Sequence, residues 1–302
     1  MKRFLIVAIS LVLMGGLSTV YGTEYKLYYL GGQSNMDGYG FVRELPAELA
    51  EPVPGVRIYQ SSAEPDNAPI NGAGIWSPLL PGHGRDFKSD GLTNTLSDRF
   101  GVELTLARRL RELDPSSPIA LVKYSKGGTS IHVDAADQFG CWDPDFSKGN
   151  GINQYDHFLA TLRKALAVRD IDGDGTDDTL VPAGIVWMQG ESDANDKEIA
   201  EQYEANLKRL MDLIRAALRV DDLPVVMGRI TDSGQDSDGT VWDYGPIVQK
   251  AQTDFCARDA CAALVTSTDQ YGYSDKWHYD TAGYIDFGIQ FAEALYRLQQ
   301  EQ

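Results

Sequence analysis

Lys26-Leu27-Tyr28-Tyr29-Leu30-Gly31-Gly32-Gln33-Ser34-Asn35-Met36-Asp37-Gly38 changes character in its middle. Lys26–Leu30 is a short apolar run of the kind that forms a strand covered on both faces. Two glycines and a serine then break it. A strand ending this way turns sharply, exposes one hydroxyl and aims backbone N–H groups at the same point. In open parallel sheets ligands bind beyond the carboxyl ends of the strands. Ser34 is therefore a candidate nucleophile, provided that a base reaches it. Without a base the same stretch is an ordinary Gly-Ser turn.

The rest of the chain supplies the sheet. Ile119–Tyr124, Gly184–Met188, Pro224–Met227 and Ala263–Thr266 are similar apolar runs, each ending in polar or glycine residues. Helical spacing alternates with them. Phe100, Leu104, Ala107 and Leu110 share one face, as do Phe158, Leu162, Ala165 and Leu166. Ile199, Tyr203, Leu207, Leu210, Met211 and Ile214 make the clearest stripe, and Asn195 with Glu198 reads as its capping pair. Two more helices are predicted over Ile247–Ala257 and Ala282–Leu298. Strands alternating with helices predict an α/β fold, a parallel sheet with helices on both faces. Gly40–Asp98, rich in Gly and Pro, breaks the pattern and is expected to form loops walling a site. Trp76, His83 and Arg85 within it, with Asn35 and Glu191, are candidate substrate contacts.

The base stands at the other end of the chain. Asp275-Lys276-Trp277-His278 follows the last predicted strand. An Asp three residues before a His lets the carboxylate take the Nδ1–H and leaves Nε2 as general base. Among the other histidines only His83 is a rival. Two further strand ends converge on the same edge. Tyr124-Ser125-Lys126-Gly127-Gly128-Thr129-Ser130 offers N–H groups where glycine permits close approach. Trp187-Met188-Gln189-Gly190-Glu191-Ser192-Asp193 offers the uncharged amide donor of Gln189. Both suit a developing oxyanion.

Gly-Gln-Ser-Asn-Met from Gly32, Gly-Gly-Thr-Ser from Gly127, Trp-Met-Gln-Gly-Glu-Ser-Asp from Trp187 and Asp-Lys-Trp-His from Asp275 resemble, in order, the blocks of the SGNH hydrolase superfamily. More narrowly they resemble its sialate O-acetylesterase-like branch, which includes the acetyl xylan esterases of carbohydrate esterase family six. The resemblance implies a three-layer α/β/α, flavodoxin-like fold with about five parallel strands. It implies Ser34 as nucleophile, His278 as base and Asp275 as its orienter. The oxyanion hole would use the Ser34 N–H, a Gly127 or Gly128 N–H, and Gln189. The implied activity is O-deacetylation of a carbohydrate through an acetyl-serine, with acetylated plant polysaccharide such as xylan as the expected substrate and sialic acid as the alternative. The opposing reading is a non-catalytic carbohydrate-binding module on the same fold, against which the intact Ser34, Asp275 and His278 argue.

Residues 1–22 read as an export signal, with Lys2 and Arg3 before the apolar run Phe4–Met14, and 23–302 as one esterase-type domain. A secreted or periplasmic enzyme, free of the membrane once cleaved, is the expectation. The formal net charge of −17 leaves no electrostatic footprint for nucleic acid. An acetylated carbohydrate is the expected partner, and catalysis of this type calls for no cofactor. Asp170, Asp172, Asp174 and Asp178 have the spacing of a calcium loop with Gly175 at its turn. Val181 replaces the twelfth-position Glu of an EF-hand, so a structural calcium ion competes here with a plain polar turn. Of the 3 cysteines, Cys256 and Cys261 are close enough to suggest a local disulfide in an exported chain, leaving Cys141 over.

Overall fold

The computed structural model describes residues 22–136 and 139–301. The expected export signal therefore lies, apart from Gly22, outside the described residues. Among the described residues no helix is long and apolar enough to cross a membrane.

A seven-stranded sheet forms the middle layer. In chain order its strands are β1 (Glu24–Gly32), β2 (Val56–Gln60), β3 (Trp76–Pro78), β4 (Ile119–Ser125), β5 (Thr179–Met188), β6 (Val225–Gly228) and β7 (Ala262–Val265). Their spatial order is β7-β6-β5-β1-β4-β2-β3. All neighbours are parallel except the antiparallel pair β2–β3 at one edge. The strands legible in sequence, β1, β4, β5, β6 and β7, keep the flavodoxin-like order, with the chain reversing direction across β1. The addition is β2 with β3, both inside the stretch expected to be loop. Arg57 interrupts the apolar run of β2, and β3 is only 3 residues long, so neither carries a strong pattern.

Alternation along β1 sends successive side chains to opposite faces. The hydroxyl of Tyr28 accepts from Gln299 at 3.2 Å, on the last helix (Thr281–Gln300), whereas the Tyr29 ring packs 4.5 Å from Phe158 on the helix Gln154–Ala167. Both tyrosines are buried, and each is worth about 1.5–3 kcal/mol as an order of magnitude. Helices thus cover both faces, giving three layers. Thr281–Gln300 starts cleanly because Asp280 caps it, its side chain accepting from the Gly283 N–H at 2.8 Å. The stripe from Ile199 to Ile214 is broken. A short turn of helix, Lys197–Ala200, precedes the main helix Tyr203–Leu218, and the capping oxygen belongs to Asp196 rather than to Asn195.

The expected Cys256–Cys261 bridge is not formed, and Cys256 is a free thiol. The helix Gly245–Arg258 runs on past Cys256, which packs half-buried against the core, while Cys261 follows the turn into β7. Burial pushes the Cys256 thiol up to about 12.

Candidate active site

The site lies beyond the carboxyl ends of β1, β4 and β5. At Gly32 the chain passes so close to β5 that a Cβ would stand 1.9 Å from the Met188 carbonyl oxygen, and φ is +140°. Ser34 then opens a four-residue helix, Ser34–Asp37, and as its first residue has no intrahelical acceptor for its N–H. The four-residue turn is fastened from below. Asp37 accepts from the Ser125 hydroxyl and, at 3.0 Å, from the Gly127 N–H. Burial raises the Asp37 pKa, with those donors opposing. Under it Lys123, buried in the middle of β4, donates to Glu103 (2.7 Å) and to the carbonyls of His83 (2.7 Å) and Asp37 (2.9 Å).

The loop before the last helix carries the candidate base. Asp275 Oδ2 lies 2.8 Å from His278 Nδ1, and its Oδ1 accepts from the N–H groups of Trp277 (2.8 Å) and His278 (2.9 Å). One carboxylate both shapes the turn and orients the ring, leaving Nε2 available. Tyr39 lies flat on the imidazole, centroids 3.4 Å apart and planes 8° apart. Burial lowers the His278 pKa, and the Asp275 hydrogen bond and charge only partly restore it. Burial also acts to raise Asp275, but its bonds to His278 and the two N–H groups outweigh that, so its pKa falls and it stays charged.

Ser34, His278 and Gly128 line one pocket of about 850 Å³, with Gln33, Arg85 and Glu191. The bond from Ser34 Oγ to His278 Nε2 is not made among the described hydrogen bonds, as is common before substrate binds. A hollow of about 1010 Å³ lies towards the amino ends of the strands, against Leu27, Leu159 and Leu180. It brings no nucleophile and base together, so the smaller pocket is the catalytic candidate.

Several expectations are corrected. Gln189 is buried, and its Nε2 faces Asp193 (2.6 Å), the Thr129 carbonyl (3.1 Å) and Gln33 Oε1 (3.3 Å). Its amide braces the three strand ends and does not open on the pocket, because a buried amide takes the acceptors around it. The Gly127 N–H is likewise engaged by Asp37. Among the described residues no acceptor takes the Gly128 N–H. Its φ of +76° and the Phe139 ring, 2.5 Å from where a Cβ would sit, require glycine. His83 is a core residue 2.8 Å from Gln60, and burial, with the Lys123 charge, lowers its pKa to about 3. Trp76 donates to the Ala165 carbonyl at 3.0 Å, away from the pocket. Asn35 is buried beneath the pocket. Glu191 lines it but is almost closed off, and burial pushes its carboxyl up to about 7.

Of the acidic loop, Asp170, Asp172 and Asp174 offer carboxylate oxygens all within 4.8 Å of one another. Asp178 is not among them; its oxygens accept from the N–H groups of Thr23 (2.9 Å) and Ile171 (2.8 Å). The loop sits at the amino end of β1, away from the pocket.

The pH profile follows from His278. A general base works when neutral, and its pKa lies below the ordinary 6.5. As pH rises, kcat/KM should climb through an acid limb whose midpoint lies below 6.5. An acid limb centred above 6.5 in a pH–rate series would contradict the depressed imidazole.

A family model described as "Carbohydrate esterase, sialic acid-specific acetylesterase" matches residues 24–297. Among solved structures the chain is similar to NanS, at 16% identity over 94% of this chain and 100% of that one, TM-score 0.61. It is similar to a carbohydrate acetylesterase from Xanthomonas citri, at 16% identity over 92% of this chain, TM-score 0.60, and spans 57% of that chain's length. It is also similar to a protein from Arabidopsis thaliana, at 20% identity over 90% of this chain and 98% of that one, TM-score 0.58. At such identities the likeness carries the fold. No curated protein matches the chain.

Proposed function

The chain belongs to the sialic acid-specific acetylesterase family of carbohydrate esterases and is a carboxylic-ester hydrolase; from that premise we propose that it removes O-acetyl groups from a sugar through Ser34, His278 and Asp275. The observation that carries this reading is the Asp275–His278 pair at 2.8 Å, set in the wall of the pocket that Ser34 also lines. Ser34 Oγ attacks the acetyl carbonyl carbon as His278 Nε2 takes its proton. The oxyanion meets the Ser34 and Gly128 N–H groups. Gln33 adds a third donor. Its Oε1 accepts from the Gln189 side-chain amide (3.3 Å) and from the backbone N–H groups of Gly190 (3.3 Å) and Ser192 (3.4 Å), and among the described residues no acceptor takes its own amide nitrogen. Collapse returns the proton to the departing sugar oxygen and leaves acetyl-Ser34. Water, deprotonated by His278, then attacks the acetyl carbon, the acyl–Oγ bond breaks, and His278 returns the proton to Ser34 as acetate leaves.

The family match supports an acetylated sialic acid as the substrate. The charge of the lining does not choose the sugar, since Arg85, Lys88 and Lys126 share it with Asp37, Glu64, Asp86 and Glu191, but the rings of Trp242 and Trp277 suit a pyranose face. Acetate release should therefore be faster, as kcat/KM, on O-acetylated sialic acid than on acetylated xylan. Equal rates would point to a neutral polysaccharide instead. Absence of acetate from both, and from p-nitrophenyl acetate, would end the esterase reading.

We also propose a calcium ion at Asp170, Asp172 and Asp174, whose clustered oxygens support it. A cation bound to the native state alone stabilises it. The melting temperature should fall in chelator and recover with added calcium; superimposable curves would count against the ion.

A further inference from the structure

What sets the distance between Ser34 and His278 is not the Asp275 carboxylate. All three of its bonds to the histidine segment close within the loop Asp275–His278. They fix the imidazole in its loop but not the loop against the nucleophile. Among the described residues, the side chain of Asn35, the neighbour of Ser34, bonds directly to the backbone beside His278; the Phe41 N–H also reaches Thr281 Oγ1 at 3.0 Å, farther from both reacting groups. Asn35 Nδ2 donates to the Trp277 carbonyl at 3.2 Å, and its Oδ1 accepts from the Tyr279 N–H at 3.4 Å. These are the backbone groups on either side of His278.

The orientation of the amide is fixed by its partners rather than assumed. Tyr279 N–H and Tyr284 O–H both donate to it, the latter at 2.7 Å, so the oxygen must face them. The second Nδ2 proton goes to Glu191 Oε1 at 2.8 Å. Asn35 thus has every donor and acceptor engaged, in a place closed to water. The other Glu191 oxygen, Oε2, is buried without a partner. Glu191 serves here as a single acceptor, and it comes from the loop after β5, so the link reaches a third strand end.

We propose that Asn35 and Glu191 are a pair of positioning residues that hold the His278 loop in register with the turn bearing Ser34. The inference rests on the Ser34–His278 reading of the reaction. Register matters because displacement of a catalytic group by about 1 Å can cost about 10²-fold. Loss of the couple therefore acts on the chemical step and not on substrate affinity.

The test is steady-state acetate release from p-nitrophenyl acetate, with melting curves to confirm folding. Asn35→Ala should lower kcat by about 10–100-fold while KM stays within about twofold. Glu191→Ala should do the same. The double variant should be no worse than either alone, since the two act as one unit. Glu191→Gln keeps an acceptor oxygen for Asn35 and should restore most of kcat. Should Asn35→Ala fail to fold, Tyr284→Phe deletes only the O–H that fixes the amide and should show a smaller fall in kcat of the same kind.

An unchanged kcat in folded Asn35→Ala, or in Tyr284→Phe where Asn35→Ala does not fold, overturns the proposal. So does a rise in KM alone, which would make these residues substrate contacts. A Glu191→Gln as slow as Glu191→Ala also overturns it, by showing that the carboxylate itself is needed. Ser34→Ala measured alongside separates the two layers. If it remains active the mechanism fails; if it is inactive while Asn35→Ala is fully active, only the positioning role fails.

Discussion

Replacing Ser34 or His278 by alanine is expected to lower kcat by ~10⁴–10⁶, and replacing both by little more. In the proposed mechanism the serine hydroxyl loses its proton as it attacks, and His278 takes it with its own Nδ1 already committed, 2.8 Å from Asp275. Either group without the other does almost nothing, so the two losses do not add. Asp275→Ala should cost less, because Tyr39 stacked on the imidazole at 3.4 Å still holds the ring. Kinetics on p-nitrophenyl acetate with circular dichroism to verify folding would measure all four variants. A folded Ser34→Ala that kept more than about a tenth of the wild-type kcat would exclude an acetyl-serine route.

The second large effect is on stability. Lys123→Met should destabilise the chain by about 3–5 kcal/mol, read from urea unfolding. Lys123 and Glu103 are both fully buried, 2.7 Å apart. Removing the ammonium leaves the Glu103 carboxylate in the core with no cation, and frees the carbonyls of Asp37 and His83 of a donor. Lys123→Met with Glu103→Gln should recover part of the loss, since no lone charge then remains buried. A single variant losing less than about 1 kcal/mol would mean that the pair is dispensable. Asp37 lies in the same cluster, so the single variant should also loosen the turn of Ser34 and lower kcat.

Lys123 marks the limit of what the sequence made legible. It sits inside the apolar run Ile119–Tyr124, where periodicity registers a strand and cannot register a charge beneath a catalytic turn. The strands β1, β4, β5, β6 and β7 were readable because unbroken apolarity is what burial on both faces demands. β2 was not, since Arg57 breaks its run. The Asp275–His278 spacing was readable because both partners lie in one short loop, where spacing nearly determines geometry. Gln189 was misjudged for the opposite reason. Which way its amide faces depends on Thr129 and Gln33, which fold against it from other segments, as well as on the nearby Asp193. Tyr39 escaped as well, and Asn35 was legible only as a candidate contact, because stacking on His278 and bonding around it are relations across more than 200 positions of chain.

The edges of the central sheet have a consequence for association. An exposed strand edge is a template on which another chain can add a strand. Here one edge is β3, 3 residues long, antiparallel to its neighbour and ending in Pro78, which has no N–H to offer. The opposite edge, β7, runs for only 4 residues. Neither presents a ladder long enough to seed pairing, and the net charge of −17 makes copies repel before they meet. Addition of a strand from another chain is thereby disfavoured at both edges of the central sheet.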